Sequence, residues 1–312
     1  MQRLLSTVVV LGLLIATAAA FAITEGLKLT PSPITQTQVS KVLSPICGCK
    51  TGAAAITFWL RRRDRLTLDV LTSDRREVKR LVDGVSAHRK FNTFRWNGRT
   101  SSGSVAPNGT YLIRVHLSGA HRTILLPNRI ELDTRAPKVL DAKPNRTVFS
   151  PDGDRRSDNV RISYRLDESG HALLFVRGHL VVRTRFARNR DSLTWYGRMD
   201  GSSLPAGTYR LRLGALDSAG NVTGADQRAV ITVRIRYITL ARSLIPRVTA
   251  GARVGVGVET DAASYDWRLG AAEGRSNADV LVARAPKKPG RYRLVVTENG
   301  HSDSARVFVV RR

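Results

Sequence analysis

Two cysteines are the only thiols in this 312-residue chain, and they stand one residue apart as Cys47-Gly48-Cys49. In an oxidising compartment such a pair can close a small, strained disulfide. We interpret the pair as a local staple of its loop. Redox exchange, pairing between chains and metal binding remain alternatives, although two thiolates alone do not complete a zinc site.

Three aspartates, Asp152, Asp154 and Asp158, lie in a short S-P-D-G-D-x-x-S-D loop. Carboxylates at spacings of two and four residues can converge on a calcium ion, which takes six or more oxygen ligands. Arg155 and Arg156 stand between them and would repel a cation, and aspartate is also an ordinary turn residue. The pattern therefore predicts a turn, with calcium as the alternative.

The densest basic cluster consists of Arg61, Arg62, Arg63 and Arg65, interrupted only by Asp64. It separates an apolar alternation ending at Leu60 from the next one, so we predict a solvated hairpin turn. A docking point for a phosphate-rich polymer or for lipid headgroups is the functional alternative.

The net charge of +26 is spread along the whole chain. Dedicated nucleic-acid-binding proteins usually concentrate positive charge on one face or helix, so no specific nucleic-acid partner is expected. The charge indicates either a generally basic surface or attraction to an anionic polymer of the cell envelope. A cell-envelope protein is the other partner class that we consider.

No catalytic or cofactor motif is recognisable, and the six histidines are scattered without a nucleophile at a useful spacing. We predict a protein that is not an enzyme and has no cofactor. Trp96 and Trp195 occupy matching positions before a glycine, which favours packed aromatics over sugar-stacking platforms.

The N-terminus carries an uncharged stretch from Leu4 to Ile23, preceded by Arg3. Ala20-Phe21-Ala22 suits signal peptidase, whereas about 20 apolar residues of helix also match the ~30 Å thickness of a bilayer core. We therefore predict that residues 1–23 are a signal peptide or a membrane anchor. Both alternatives place the rest of the chain outside the cytoplasm, either secreted or attached to the membrane with its domains outside. Residues 24–43 are predicted to form an extended spacer.

The chain also contains an internal repeat of about 100 residues. Each copy has W-x-G, a later glycine, P-x-G-T-Y and an upstream Ser-Pro, and the matched segments are Ser44-Pro45, Trp96–Gly98 and Pro107–Tyr111 in one copy, and Ser150-Pro151, Trp195–Gly197 and Pro205–Tyr209 in the other. Alternation such as Tyr209-Arg210-Leu211-Arg212-Leu213 predicts strands with one buried face. A repeat of this length indicates tandem β-sandwich domains, each with its own core.

These motifs, with Asp217-Ser218-Ala219-Gly220-Asn221 closing the second copy, resemble the immunoglobulin-like domain of the flagellar hook-capping protein, which occurs widely in secreted bacterial proteins. The first copy has Ser118-Gly119-Ala120-His121 in that place. The resemblance covers residues 44–236. It implies an immunoglobulin-like fold and a surface-exposed structural or adhesive module, and it implies no reaction.

Residues 237–312 repeat the pattern more loosely. Val254, Val256 and Val258 alternate with small residues, and Pro289-Gly290 leads into a strand containing Tyr292. We therefore predict an all-β protein with immunoglobulin-like sandwiches at 44–135, 136–236 and 237–312, serving as a spacer or adhesive scaffold. The alternative function is a cationic module that binds anionic envelope polymers.

Overall fold

The computed structural model describes residues 2–29 and 31–311, and within its N-terminal helix it describes the side chains of residues 9–22. This helix, α1, spans Gln2–Leu29. In the described part of the chain, no helix combines the length and the apolar character that crossing a bilayer requires. Both ends of the predicted segment 1–23 lie outside the described side chains, so the signal or anchor stays a prediction.

The chain divides into two compact units, Met1–Thr134 and Arg135–Arg312. The first unit is one β-sandwich built from nine strands: β1 Ile34–Val39, β2 Val42–Leu43, β3 Ala54–Leu60, β4 Asp64–Thr72, β5 Glu77–Ala87, β6 Phe91–Trp96, β7 Gly109–Leu117, β8 Arg122–Leu125 and β9 Ile130–Leu132. A 3-10 turn spans Lys50–Gly52. One sheet has the order β1-β3-β6 and the other β2-β9-β7-β4-β5, with β8 beside β7. A single apolar core lies between the two sheets.

The structure corrects the prediction of an extended spacer at 24–43. Residues 24–29 belong to α1, and residues 34–43 already form the first two strands of the sandwich. β1 pairs with β3, and β2 runs parallel to β9. This segment joins the sandwich because Ile34 and Leu43 bury their side chains in its core. The β-branched threonines between them also favour a strand.

The second unit holds two further sandwiches with separate cores. The strands of the second sandwich are β10 Val139–Pro144, β11 Val148–Phe149, β12 Val160–Val176, β13 His179–Arg183, β14 Arg188–Trp195, β15 Arg198–Met199, β16 Ser202–Ser203, β17 Gly207–Leu216 and β18 Ala229–Ile235. The long strand β12 serves both layers: its first half pairs with β10 and β14, and its second half with β13 and β17. β18 pairs with β17, and β11 runs parallel to β18.

The third sandwich begins directly after Tyr237, the last core residue of the second. Its strands are β19 Thr239–Leu240, β20 Leu244–Thr249, β21 Arg253–Glu259, β22 Tyr265–Leu269, β23 Ala272–Ser276, β24 Val280–Arg284, β25 Gly290–Glu298 and β26 His301–Val310. They form the sheets β19-β21-β24 and β20-β26-β25-β22-β23. The all-β class and the tandem β-sandwiches predicted from alternation and repeat length are therefore the fold of this chain.

The predicted alternation is confirmed in strands that line the cores. In β17, Tyr209, Leu211 and Leu213 are buried while Arg210 and Arg212 are exposed. The same in-out pattern holds in β3 and in β21. Period-2 patterning thus decides which face of each strand meets the core.

The repeated P-x-G-T-Y motif builds the same corner in both copies. The Tyr111 hydroxyl donates to the Pro107 carbonyl oxygen at 2.6 Å, and the Tyr209 hydroxyl donates to the Pro205 carbonyl oxygen at 2.7 Å. In the third sandwich the Tyr292 hydroxyl donates to the backbone carbonyl four residues upstream at 3.0 Å. This bond ties the start of a core strand to the preceding loop, as tyrosine corners do in immunoglobulin-like domains.

The glycine of W-x-G and the upstream Ser-Pro also belong together. Gly197 has φ +65°, and a Cβ atom added there would lie 2.7 Å from Cγ of Pro151. Gly98 has φ +71°, and a Cβ atom added there would lie 3.0 Å from Cγ of Pro45. Only glycine permits both this backbone conformation and this close approach. The motif residues therefore form one packing unit in each copy.

Candidate functional site

The basic cluster does not lie in a hairpin turn, which corrects the sequence-based prediction. β3 pairs with β1 and β6, whereas β4 pairs with β5 and β7, so residues 61–63 cross from one sheet to the other. A hairpin is excluded because β3 and β4 share no backbone ladder.

The crossing exposes a basic groove. Arg61, Arg62 and Arg63 line it with Arg122 and Pro31, around a volume of about 480 Å³. An adjoining depression brings in Arg89. Arg61 Nε donates to the Ser32 carbonyl oxygen at 3.0 Å, and Arg63 Nε donates to Ser86 Oγ at 3.3 Å. Arg65, the fourth predicted residue, is exposed on β4 and is not among the lining residues.

Asp64 reduces the positive charge of this groove and has a structural task. Its Oδ1 atom accepts the backbone N–H of Gly119 at 2.7 Å, and its Oδ2 atom accepts that of Ala120 at 2.9 Å. In the second sandwich, Asp217 plays the corresponding role within its own loop. Its carboxylate accepts hydrogen bonds from the backbone N–H and from the side-chain amide of Asn221, both at 2.7 Å. The first copy thus replaces its missing D-x-x-G-N end with a carboxylate from another strand.

The cysteines form a disulfide, and the tryptophans are packed in the cores. Cys47 and Cys49 are joined by a disulfide with a Cα–Cα distance of 5.2 Å, beside Thr51. Trp96 and Trp195 are buried, and each indole N–H donates at 2.9 Å to the carbonyl oxygen three residues on. The prediction that both tryptophans are packed aromatics is confirmed, since neither ring face is open to a sugar.

The three aspartates of the S-P-D-G-D loop have different roles. Asp158 accepts the backbone N–H groups of Gly153 and Arg155, each at 2.7 Å, and so holds the turn. Asp152 and Asp154 instead lie near Glu298 of the third sandwich, with one carboxylate oxygen of each of these three residues within 4.8 Å of the others. The carboxylates that the fold brings together are thus Asp152, Asp154 and Glu298, and Asp158 is not in this group.

The electrostatics of this acidic junction reflect burial. Loss of solvent raises the pKa of Glu298 to about 7, and the nearby Asp152 adds to this effect, whereas a hydrogen bond from Thr260 opposes it. Burial also raises the pKa of Asp154. Asp261 is affected in the same direction, first by burial and then by the charges of Asp152 and Asp154.

Sequence reasoning missed Glu298 and Asp261. Glu298 ends β25 and precedes the Asn299-Gly300 turn, and Asp261 follows β21, so both lie more than 100 positions from Asp154. Neither belongs to a recognisable ligand motif. Only the arrangement of the two sandwiches brings them together.

No protein-family model and no curated protein sequence matches this chain. Among solved structures, native alpha-2-macroglobulin of E. coli is similar at 13% identity with a TM-score of 0.27, over 90% of this chain and 22% of that protein. A three-domain titin fragment, I67–I69, has 11% identity and a TM-score of 0.31, covering 91% and 100%. A chain solved from a 1.5-MDa bacterial ice-binding adhesin has 12% identity and a TM-score of 0.29, over 90% of this chain and 99% of that solved chain. None of these likenesses assigns an activity, and the resemblance to hook-capping domains rests on the sequence motifs.

Proposed function

We propose that this chain is an exported, non-catalytic scaffold whose immunoglobulin-like sandwiches act as a spacer or an adhesive module at the bacterial surface. One observation carries the proposal: the residues that repeat most clearly along the chain all serve packing. Trp195 fills a core, Tyr209 closes a corner, and Gly197 admits Pro151. A repeat whose most specific residues are architectural supports a protein selected for its shape.

Export is part of the proposal and has a direct test. Cells producing the full chain are fractionated, intact cells are treated with an external protease, and the N-terminus of the recovered protein is sequenced. We expect external proteolysis, with a mature start near Ile23 if the segment is cleaved or an intact N-terminus in the membrane fraction if it is retained. A full-length chain that fractionates with cytoplasmic proteins and resists the protease would contradict export.

The second candidate function is binding to an anionic envelope polymer, and the arginine groove of the first sandwich favours it. Arg61, Arg62 and Arg63 are exposed together at one crossing, with Arg89 and Arg122 beside them. Polyanion binding through such groups weakens as salt rises because bound counterions are released.

Chromatography on phosphocellulose tests this alternative. The variant with Arg61, Arg62 and Arg63 changed to Gln is expected to elute at distinctly lower salt than the unaltered chain. The matched control changes Arg161, Arg165 and Arg210 to Gln, which removes the same charge from exposed positions of the second sandwich. Equal elution of the two variants would show that net charge alone acts and would refute a groove-specific site.

A further inference from the structure

The acidic junction inside the unit Arg135–Arg312 contains buried carboxylate oxygens that accept no hydrogen bond from the described residues. Glu298 is only 6% exposed, and its Oε1 atom is buried and accepts no hydrogen bond from the described residues. The Oδ2 atom of Asp261 is in the same condition. Buried carboxylate oxygens are normally paired or bound to a metal, because an isolated buried charge is costly.

Neutral donors reach some of the other carboxylate oxygens, among them Asp152 Oδ1, which accepts the backbone N–H of Asp154 at 3.2 Å. Thr260 Oγ1 donates to Glu298 Oε2 at 2.5 Å, and Ser150 Oγ donates to Asp152 Oδ2 at 3.0 Å. Arg155 and Arg156, whose charges argued against a cation in the sequence, have exposed side chains. Their backbone N–H groups, and not their guanidinium groups, bond the carboxylates of Asp158 and Asp154.

The donor set indicates which cation would fit. All the groups are carboxylate or hydroxyl oxygens, which suits a hard ion and offers none of the nitrogen or sulfur ligands that zinc prefers. One carboxylate oxygen of each of the three residues lies within 4.8 Å of the others, which is close enough for all three to contact one ion. Ca²⁺ accepts irregular arrangements of six to eight oxygens, whereas Mg²⁺ demands near-ideal octahedral geometry, so carboxylates that come from separate loops suit Ca²⁺ better.

We propose that Asp152, Asp154 and Glu298 bind one Ca²⁺ ion, with Asp261 beside them as a further carboxylate and water filling the remaining positions. The ion joins a loop of the second sandwich to two loops of the third, so it fixes the angle between the two sandwiches. This inference goes beyond the scaffold function and does not depend on export.

The neighbouring contacts show that the junction is already organised for such a link. The rings of Tyr237 and His301 stack with centroids 3.6 Å apart and planes 8° from parallel. Arg236 Nη1 lies 2.7 Å from Glu259 Oε2 across the same region. Bound calcium would therefore stabilise an interface that these contacts already form.

Calcium titration of the full chain tests the proposal, with calorimetry to several millimolar CaCl₂ after removal of metal by EDTA. We expect one ion per chain and much weaker binding of MgCl₂. Hydrogen exchange measured with the same samples should slow in the loop 150–158 and the turn 298–301. Where exchange requires opening of the site, Ca²⁺ at ten times its Kd should slow it about elevenfold. The unit Met1–Thr134 serves as the internal reference.

Substitutions separate a ligand from a structural side chain. Glu298→Gln should weaken Ca²⁺ binding at least tenfold, and it should also raise the unfolding temperature of the metal-free protein because it removes a buried charge. Glu273→Gln, an exposed change in the same sandwich, should alter neither quantity. Asp152→Asn is the second test variant, should Glu298→Gln fail to fold.

Three outcomes would overturn the proposal. The first is the absence of a calcium-dependent heat or exchange change in the unaltered chain. The second is equal affinity for Mg²⁺ and Ca²⁺. The third is Ca²⁺ binding that is unchanged in both Glu298→Gln and Asp152→Asn, which would place the ion elsewhere.

Discussion

Asp69 is a buried charge in the first sandwich, and neutralising it tests how this sheet is held together. Its side chain is 3% exposed and accepts bonds from Arg80 Nε at 2.9 Å, Arg114 Nε at 3.1 Å and Arg114 Nη2 at 2.7 Å. These contacts tie β5 and β7 to β4, which lies between them. The carboxylate thus links three adjacent strands.

The expected loss of stability in Asp69→Asn follows from the burial of Asp69 and the partial exposure of its arginine partners. A hydrogen bond to a charged group contributes about 1.5–3 kcal/mol, and breaking a fully buried pair costs about 3–5 kcal/mol. In Asp69→Asn the remaining arginines are 45% and 34% exposed, so water recovers part of the loss. We therefore expect the free energy of unfolding of the first sandwich to fall by about 2–3 kcal/mol, which corresponds to roughly 30- to 150-fold faster exchange of its core amides.

Native-state hydrogen exchange of the full chain measures this change, since peptides from β4 and β7 report on the first sandwich and peptides from β12 and β17 serve as the reference. The control is Asp74→Asn, which disrupts an ion pair between Asp74 and Arg76 whose side chains are 55% and 80% exposed, and it should leave exchange unchanged. A change below about threefold in Asp69→Asn would refute the reasoning, because the buried carboxylate would then contribute no more than a surface one.

The remaining predictions concern the second unit. Tyr209→Phe should lower the stability of the second sandwich by about 1 kcal/mol through loss of the corner bond, and Tyr292→Phe, whose bond is longer and exposed, should lower that of the third by less; chemical denaturation compares them. Gly197→Ala should destabilise by clearly more than Gly201→Ala, since both glycines have positive φ but only the first would clash with a neighbour; the midpoint of thermal unfolding decides. In calcium-free buffer, the unfolding free energy of this unit should fall as pH rises from about 4.5 to about 7, because the folded state raises the pKa of Glu298 to about 7 and so binds the proton more tightly than the unfolded chain. A pH series of melting curves that stays flat, or that Glu298→Gln does not flatten, would contradict this last expectation.

Local patterns were sufficient for the strands and their inward faces. Alternation at Ile56, Phe58 and Leu60 predicts burial directly, because successive side chains of a strand point to opposite faces. The same patterning missed β1, where a Thr/Gln-rich segment with few apolar residues resembles a linker. Its pairing with β3 depends on a partner edge that the segment's own sequence does not reveal.

Sheet assignment required the tertiary structure. Leu60 and Leu66 flank a short polar segment, which in sequence is indistinguishable from a hairpin, yet β3 and β4 lie in different sheets. Hydrogen bonding between strands is decided by which edges remain free, and that is a property of the whole sandwich.

Sequence alone was enough to find the repeat, the inward faces of the main core strands and the packed role of the tryptophans, because these depend on residues close together along the chain. The substitution of Asp64 for a missing loop carboxylate and the meeting of Glu298 with Asp152 and Asp154 became visible only in the folded chain. Both facts arise from side chains brought together across strands or sandwiches, and no spacing along the chain encodes the position of one loop against another.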